Sequence, residues 1–130
     1  MQVNDQFIPV LRRMLIIESE TLIHGLFEAI LADVVGVDIA CTLNEALEQI
    51  RQQSYDVVLI GLGPHTQALL EPVVLDQLRS IESRVDVPVI AVTTQVGREE
   101  RRRLLENGFD GFVPKPFTRE TLLEGIIEAF

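Results

Sequence analysis

Cysteine and basic residues are scarce in this chain, and a long hydrophobic run is missing. The single cysteine, Cys41, has no partner for an internal disulfide and lies in an apolar run, which indicates a buried small hydrophobic side chain rather than a reactive thiol. Eleven Lys and Arg residues against 20 Asp and Glu give a net charge of −9, which argues against general nucleic-acid binding; the acidic surface is either simply solvated or attracts a basic partner. Since no apolar run approaches the roughly 20 residues of a membrane span, and residues 1–13 lack the pattern of a signal peptide, we expect a soluble, cytoplasmic protein.

What the chain does contain is enough apolar sequence for one core. Its 130 residues are 47% hydrophobic, which predicts a single domain that folds without disulfides or metal. We assign that domain to residues 14–130. Residues 1–13 form an N-terminal extension that is either a frayed end or an arm packed through apolar side chains such as Phe7 and Ile8.

Short apolar runs alternate with longer stretches of helical periodicity. The runs typical of buried strands cover residues 14–17, 35–41, 56–60, 87–92 and 111–113. Helices are predicted over 21–32, after the Thr42 and Glu45 capping box, near Pro72, over 97–107 up to a stop at Gly108, and after the capping residue Thr118. Strands that alternate with helices predict an α/β fold with a parallel five-stranded sheet covered on both faces.

Polar residues follow several of the predicted strands. Ligands of open parallel sheets bind at the carboxyl ends of the strands. The residues found there are Glu18, Ser19 and Glu20 after the first strand, Gly61 after the third, Thr93 after the fourth and Lys115 after the fifth. Acids, a hydroxyl and a lysine at one edge suit a magnesium ion and a phosphoryl group.

Three of these segments carry a resemblance to a known family. Residues 16–20 (IIESE), 89–93 (VIAVT) and 113–117 (VPKPF) resemble the signature segments of response-regulator receiver domains, the CheY-like fold. The most specific feature is the spacing of 22 residues between Thr93 and Lys115. The resemblance implies a doubly wound, flavodoxin-like three-layer fold with strand order 2-1-3-4-5. It also implies a cis peptide bond before Pro116 and a bacterial two-component or phosphorelay role.

The chain departs from the family where the family accepts phosphate. The acceptor aspartate falls on Gly61, and no Asp or Glu occurs between Asp56 and Glu71. The metal-binding acidic pair falls on Glu18 and Ser19, so we expect no cofactor and weak or absent Mg²⁺ binding. Thr93 and Lys115 match the family's hydroxyl and lysine, and Phe112 matches its aromatic switch position.

Each matching residue also has a purely structural interpretation. Lys115 would pair with Glu18, Thr93 would hydrogen-bond the following turn, and Phe112 would belong to the core. Arg98, Arg101, Arg102 and Arg103 form a cluster with Glu99 and Glu100 that is either a solvated face with local ion pairs or a docking patch. In receiver domains the corresponding helix, the fifth strand and the last helix form the usual output and dimer face. Gly125 stands where many receiver dimers carry a basic residue, which puts that dimer mode in doubt.

Two functions are consistent with these residues. The leading hypothesis is a degenerate receiver domain, a pseudo-receiver and not an enzyme, that acts by protein–protein contact without phosphorylation at position 61. Its partner would be a kinase, an output domain or a scaffold. Whether the chain forms a homodimer is left open by the sequence. The alternative is a sensor that binds a nucleotide or phosphorylated small molecule through Arg98 and Arg101 to Arg103.

Overall fold

The fold is a parallel sheet between two layers of helices. The computed structural model describes residues 11–63, 87–94 and 97–130. Its strands are β1 (Arg13–Ile17), β2 (Gly36–Ala40), β3 (Val57–Gly61), β4 (Val89–Thr93) and β5 (Gly111–Pro114). They pair in parallel in the order β2-β1-β3-β4-β5, which confirms the predicted fold class and strand order.

Four helices lie in the described part of the chain: α1 (Thr21–Leu31), α2 (Leu43–Gln52), α3 (Arg98–Glu106) and α4 (Arg119–Glu128). The predicted capping residues Thr42 and Thr118 are confirmed, but the Glu45 side chain accepts from the Cys41 backbone N–H at 2.7 Å and so does not complete the predicted box with Thr42. The Thr42 side chain accepts from the backbone N–H of Glu45, and Thr118 forms a reciprocal capping box with Thr121. Gly108 follows α3 with φ of 103°, a conformation that favours glycine as a helix stop. The helix predicted near Pro72 lies outside the described residues, as do Phe7 and Ile8.

Two apolar clusters fill the space on either side of the sheet. One joins β-strand residues such as Met14 and Leu59 to Phe27 of α1 and Leu122 of α4. The other joins the opposite strand faces to α2 and α3. Since β3 and β4 are buried along their whole length, their uninterrupted apolar sequences reflect helix cover on both faces. Within the described ranges, none of the helices is long and apolar enough to cross a membrane.

Several apolar side chains lie outside the core, among them Cys41, which the sequence predicted to be buried. Leu22 and Leu26 of α1 are exposed, and so is Phe130 at the chain end. The apolar residues of α1 form a wide stripe, and their spacing does not show which part of it meets the core. In the structure Phe27 and Leu31 are the buried residues of this helix. Cys41 is partly exposed rather than buried, because it lies just beyond β2, at the edge of the sheet.

A polar network that the sequence did not predict lies at the edge strand β2. Asp38 of β2 accepts two hydrogen bonds from the Arg13 guanidinium and one each from the Tyr55 hydroxyl, at 2.8 Å, and the Gln53 amide. Burial pushes the pKa of Asp38 up, but the hydrogen bonds from Tyr55, Arg13 and Gln53 outweigh it and hold that pKa below its usual value. The ionised carboxylate therefore contributes to stability.

Replacing Tyr55 by phenylalanine is expected to lower the free energy of unfolding by about 1.5–3 kcal/mol near neutral pH, because a hydrogen bond to a charged group is lost. A group whose folded pKa is lowered stabilises the fold above its unfolded pKa, and that contribution disappears as the pH falls through the folded value. Urea denaturation should therefore show the deficit shrinking as the pH is lowered below the ordinary range of an aspartate pKa. In an Asp38→Asn background the deficit should not vary with pH; if it varies equally there, Asp38 is not its source.

Candidate functional site

The loops that follow β1, β3, β4 and β5 bring the predicted site residues together. Ile17 pairs with Ile60 and Gly61 with Val92, so Glu18, one residue beyond β1, lies beside Gly61 at the end of β3. Thr93 pairs with Pro114, which places Lys115 next to it, and the Lys115 backbone N–H donates to the Thr93 carbonyl at 2.8 Å. The peptide bond between Lys115 and Pro116 is cis, as the resemblance implied.

Glu18 is the centre of this arrangement. Its side chain is only 2% exposed, and Lys115 Nζ lies 3.0 Å from its Oε1 while being itself 13% exposed. The other carboxylate oxygen, Oε2, accepts from the backbone N–H of Glu20 at 3.1 Å. His24 adds a contact one turn into α1, where its Nε2 lies 2.7 Å from the Glu18 carbonyl oxygen. The predicted Glu18–Lys115 pair is therefore present, and it is a buried ion pair.

The Glu18 carboxylate occupies the space where a side chain at position 61 would begin. A Cβ placed on Gly61 would lie 2.7 Å from Glu18 Cδ and closer still to Oε1. Non-bonded carbon atoms in protein interiors rarely approach within about 3.5 Å. Any side chain at position 61 therefore requires the Glu18 carboxylate to move. The missing side chain at position 61 and the position of the Glu18 carboxylate therefore fit each other sterically.

The surrounding donors do not fit a magnesium ion. Glu18 is engaged by Lys115, Ser19 and Glu20 have exposed side chains, and Gly61 offers no side-chain oxygen. Mg²⁺ needs oxygen ligands in near-octahedral geometry and takes carboxylates by preference. In the described part of the chain, no group of three or more His, Cys, Asp or Glu residues is placed to hold a metal ion. Thr93 is buried beside this site, at the end of β4.

The predicted switch residues lie on a separate surface, formed by α3 and β5. Phe112 is half-buried and packs against the core, and the Arg101 guanidinium lies over its ring with Cζ 4.6 Å from the centroid. Arg102 pairs with Glu99 and Glu106 of its own helix. Arg102 thus forms the local ion pairs that one of the two interpretations predicted, and Arg101 makes a cation–π contact that the sequence did not indicate.

Gly125 allows α4 to pack closely against β5. It is buried, and a Cβ at this position would lie 3.2 Å from the Phe112 carbonyl oxygen and closer to the Val113 side chain. A longer side chain would have to displace the strand or the helix. The glycine therefore has a structural reason, and the basic residue that many receiver dimers carry here does not fit this packing.

Comparison with known proteins supports the assignment to receiver domains that the fold and the residues at the strand ends suggest. The family model for the response regulator receiver domain matches residues 14–127. The transcriptional regulatory protein DltR of Streptococcus agalactiae is 31% identical over 115 residues, which are 88% of this chain and 50% of that protein. The chain spans about half the length of the curated relatives it matches.

Solved structures share the fold. Chemotaxis response regulator CheY4 of Vibrio cholerae is 21% identical with a TM-score of 0.79, covering 92% of this chain and 99% of its own. A CheY-like receiver domain protein from Methanospirillum hungatei is 28% identical with a TM-score of 0.72, covering 91% and 92%. The fold, the strand order and the family match agree, and the chain belongs to the response regulator receiver domain family of two-component signalling.

Proposed function

We propose that this receiver domain acts by protein–protein contact and is not phosphorylated at position 61. One observation carries the proposal: Gly61 has no acceptor oxygen, and the space an acceptor would need holds the buried carboxylate of Glu18. Lys115 is paired with that carboxylate rather than left to receive a phosphoryl group. The Glu18–Lys115 ion pair thus takes the place of groups that would accept and bind a phosphoryl group.

The same observation bears on cofactors and catalysis. The donor set around Glu18 does not suit Mg²⁺, so we propose that the domain works without this cofactor and is not an enzyme, self-phosphorylation included. We place it in a cytoplasmic signalling pathway. Its partner would be a kinase, a scaffold or an output domain. The DltR relatives are transcriptional regulatory proteins, and this chain matches half of their length. An output domain is therefore a reasonable partner. A homodimer remains a prediction.

The test is an amide-resolved NMR titration of the full chain with Mg²⁺, followed by beryllofluoride, a mimic of the phosphoryl group. The amide signals of Gly61, Thr93, Phe112 and Lys115 are expected to stay within experimental error, because position 61 has no carboxylate and that of Glu18 is paired with Lys115. The Tyr55 amide, which lies outside the strand-end pocket, reports non-specific effects. A concerted, saturable movement of the four pocket signals would overturn the proposal, and a phosphate adduct after incubation with acetyl phosphate would overturn it independently.

The sensor hypothesis receives no comparable support. Arg102 is engaged by Glu99 and Glu106, and Arg101 is stacked on Phe112. The sensor hypothesis therefore remains a prediction. Its test is a saturable response to a nucleotide that is abolished in an Arg101→Ala/Arg102→Ala variant.

A further inference from the structure

The segment that joins β5 to α4, residues 115–119, is tied to α1 at several points. At its start, Lys115 Nζ lies 3.0 Å from the carboxylate of Glu18, which precedes α1. Two residues later, the Phe117 ring stacks on the ring of Phe27 in the middle of α1, with centroids 4.9 Å apart. Both rings are buried in the core. The segment therefore has a charged anchor and an apolar anchor on the same helix.

A third contact is made by Arg119, the first residue of α4. Its Nη1 donates to the Ile30 carbonyl oxygen at 2.7 Å and lies 3.2 Å from an Asp33 carboxylate oxygen. Carbonyl groups in the last turn of a helix have no partner within that helix, and a cation near them is favourable. Helix α1 has no basic residue in its last turn. Arg119 therefore supplies, from another helix, the cation that the end of α1 lacks.

The end of α1 leads directly into the edge strand β2. The backbone N–H groups of Val34 and Val35 both donate to the Leu31 carbonyl oxygen. Strand β2 begins immediately afterwards and pairs with the start of β1, whereas Glu18 follows the other end of β1. Residues 115–119 thus connect two places that lie at opposite ends of the same strand.

We propose that residues 115–119 act as a strap that couples the Glu18 pocket to the carboxyl-terminal end of α1. The ion pair with Lys115 holds the strap in the position from which Arg119 reaches Ile30. An anion that competed for Lys115 would release this anchor and loosen both the last turn of α1 and the turn into β2. The coupling acts in both directions, because two linked sites affect each other by equal free energies. The strap would work in the same way whether or not the domain binds a protein partner.

Amide hydrogen exchange of the full ¹⁵N-labelled chain tests the coupling, and the reporters are the two amides that donate to the Leu31 carbonyl oxygen. In a Glu18→Gln/Lys115→Met variant the reporters are expected to exchange at least about fivefold faster, because the strap has lost its anchor in the pocket. Arg119→Met should accelerate the same amides by removing the contact at the end of α1. All three substitutions together should accelerate them by less than the product of the separate effects, since either change alone already releases the strap.

Two controls separate this coupling from a general loss of stability. Arg51→Met removes another arginine, 58% exposed and paired within α2, and should leave the reporter amides unchanged. The Gln53 amide, which donates to the Gln49 carbonyl oxygen at the end of α2, should keep its exchange rate in every variant.

Three outcomes would overturn the proposal. Reporter amides that keep their exchange rate in either strap variant would show that the pocket and the end of α1 are not connected. Acceleration of the Gln53 amide equal to that of the reporters would show that the whole fold loosens instead. Separate effects that multiply in full would show that the two contacts act independently.

Discussion

Replacing Lys115 by methionine is expected to lower the free energy of unfolding by about 3–5 kcal/mol. The substitution keeps much of the apolar stem but leaves the carboxylate of Glu18, 2% exposed, without the cation that lies 3.0 Å away. The remaining hydrogen bond from the Glu20 backbone N–H does not neutralise a buried charge. Urea denaturation near pH 7 measures the loss.

Two further variants separate the ion pair from simple packing. Adding Glu18→Gln to Lys115→Met removes the stranded charge, so most of the lost stability should return. Arg102→Met is the matched control: it removes a cation whose side chain is 61% exposed and should cost no more than about 1 kcal/mol. If Lys115→Met were no more harmful than Arg102→Met, the pair would be a surface contact and would not hold the site together.

The elements that the sequence predicted well depend on local signals. Thr42 and Thr118 cap their helices because a hydroxyl at that position satisfies a free backbone N–H, whatever the rest of the fold does. The contact between Lys115 and Glu18 also followed from topology, since parallel strands bring their carboxyl ends to one edge. Each strand begins and ends within two residues of its predicted bounds.

The features that were missed depend on the direction of side chains. The apolar residues of α1 form a stripe wider than the part that meets the core, so the periodicity could not show that Leu22, at one border of the stripe, faces solvent. The Asp38 network joins residues from separate strands and loops with no regular spacing. The position of the Glu18 carboxylate was missed although a signal existed. A residue with a longer side chain than aspartate faced a residue with none, and considering Glu18 and Gly61 together would have suggested that one fills the space of the other.

That steric relation predicts a large effect at Gly61. Changing Gly61 to alanine is expected to lower the free energy of unfolding by about 2–3 kcal/mol, because the new methyl group collides with the Glu18 carboxylate. The carboxylate ends a flexible side chain, but it can move only by giving up Lys115 and the Glu20 N–H inside the protein. Gly25→Ala is the matched control. It adds the same methyl group where nothing lies within 4 Å, in a helix, and should stabilise the chain by about 0.5–1 kcal/mol.

The decisive comparison repeats Gly61→Ala in a Glu18→Ala/Lys115→Met background, which removes both charges and the obstructing carboxylate. There the substitution should be neutral or slightly stabilising, since alanine restricts the unfolded chain more than glycine does. Equal destabilisation in both backgrounds would show that the strand itself, and not Glu18, demands glycine. If the sign changes as expected, an aspartate at position 61 would meet the same obstacle. Accommodating that side chain would require a shorter residue at position 18 as well, so the identities of residues 18 and 61 are sterically coupled.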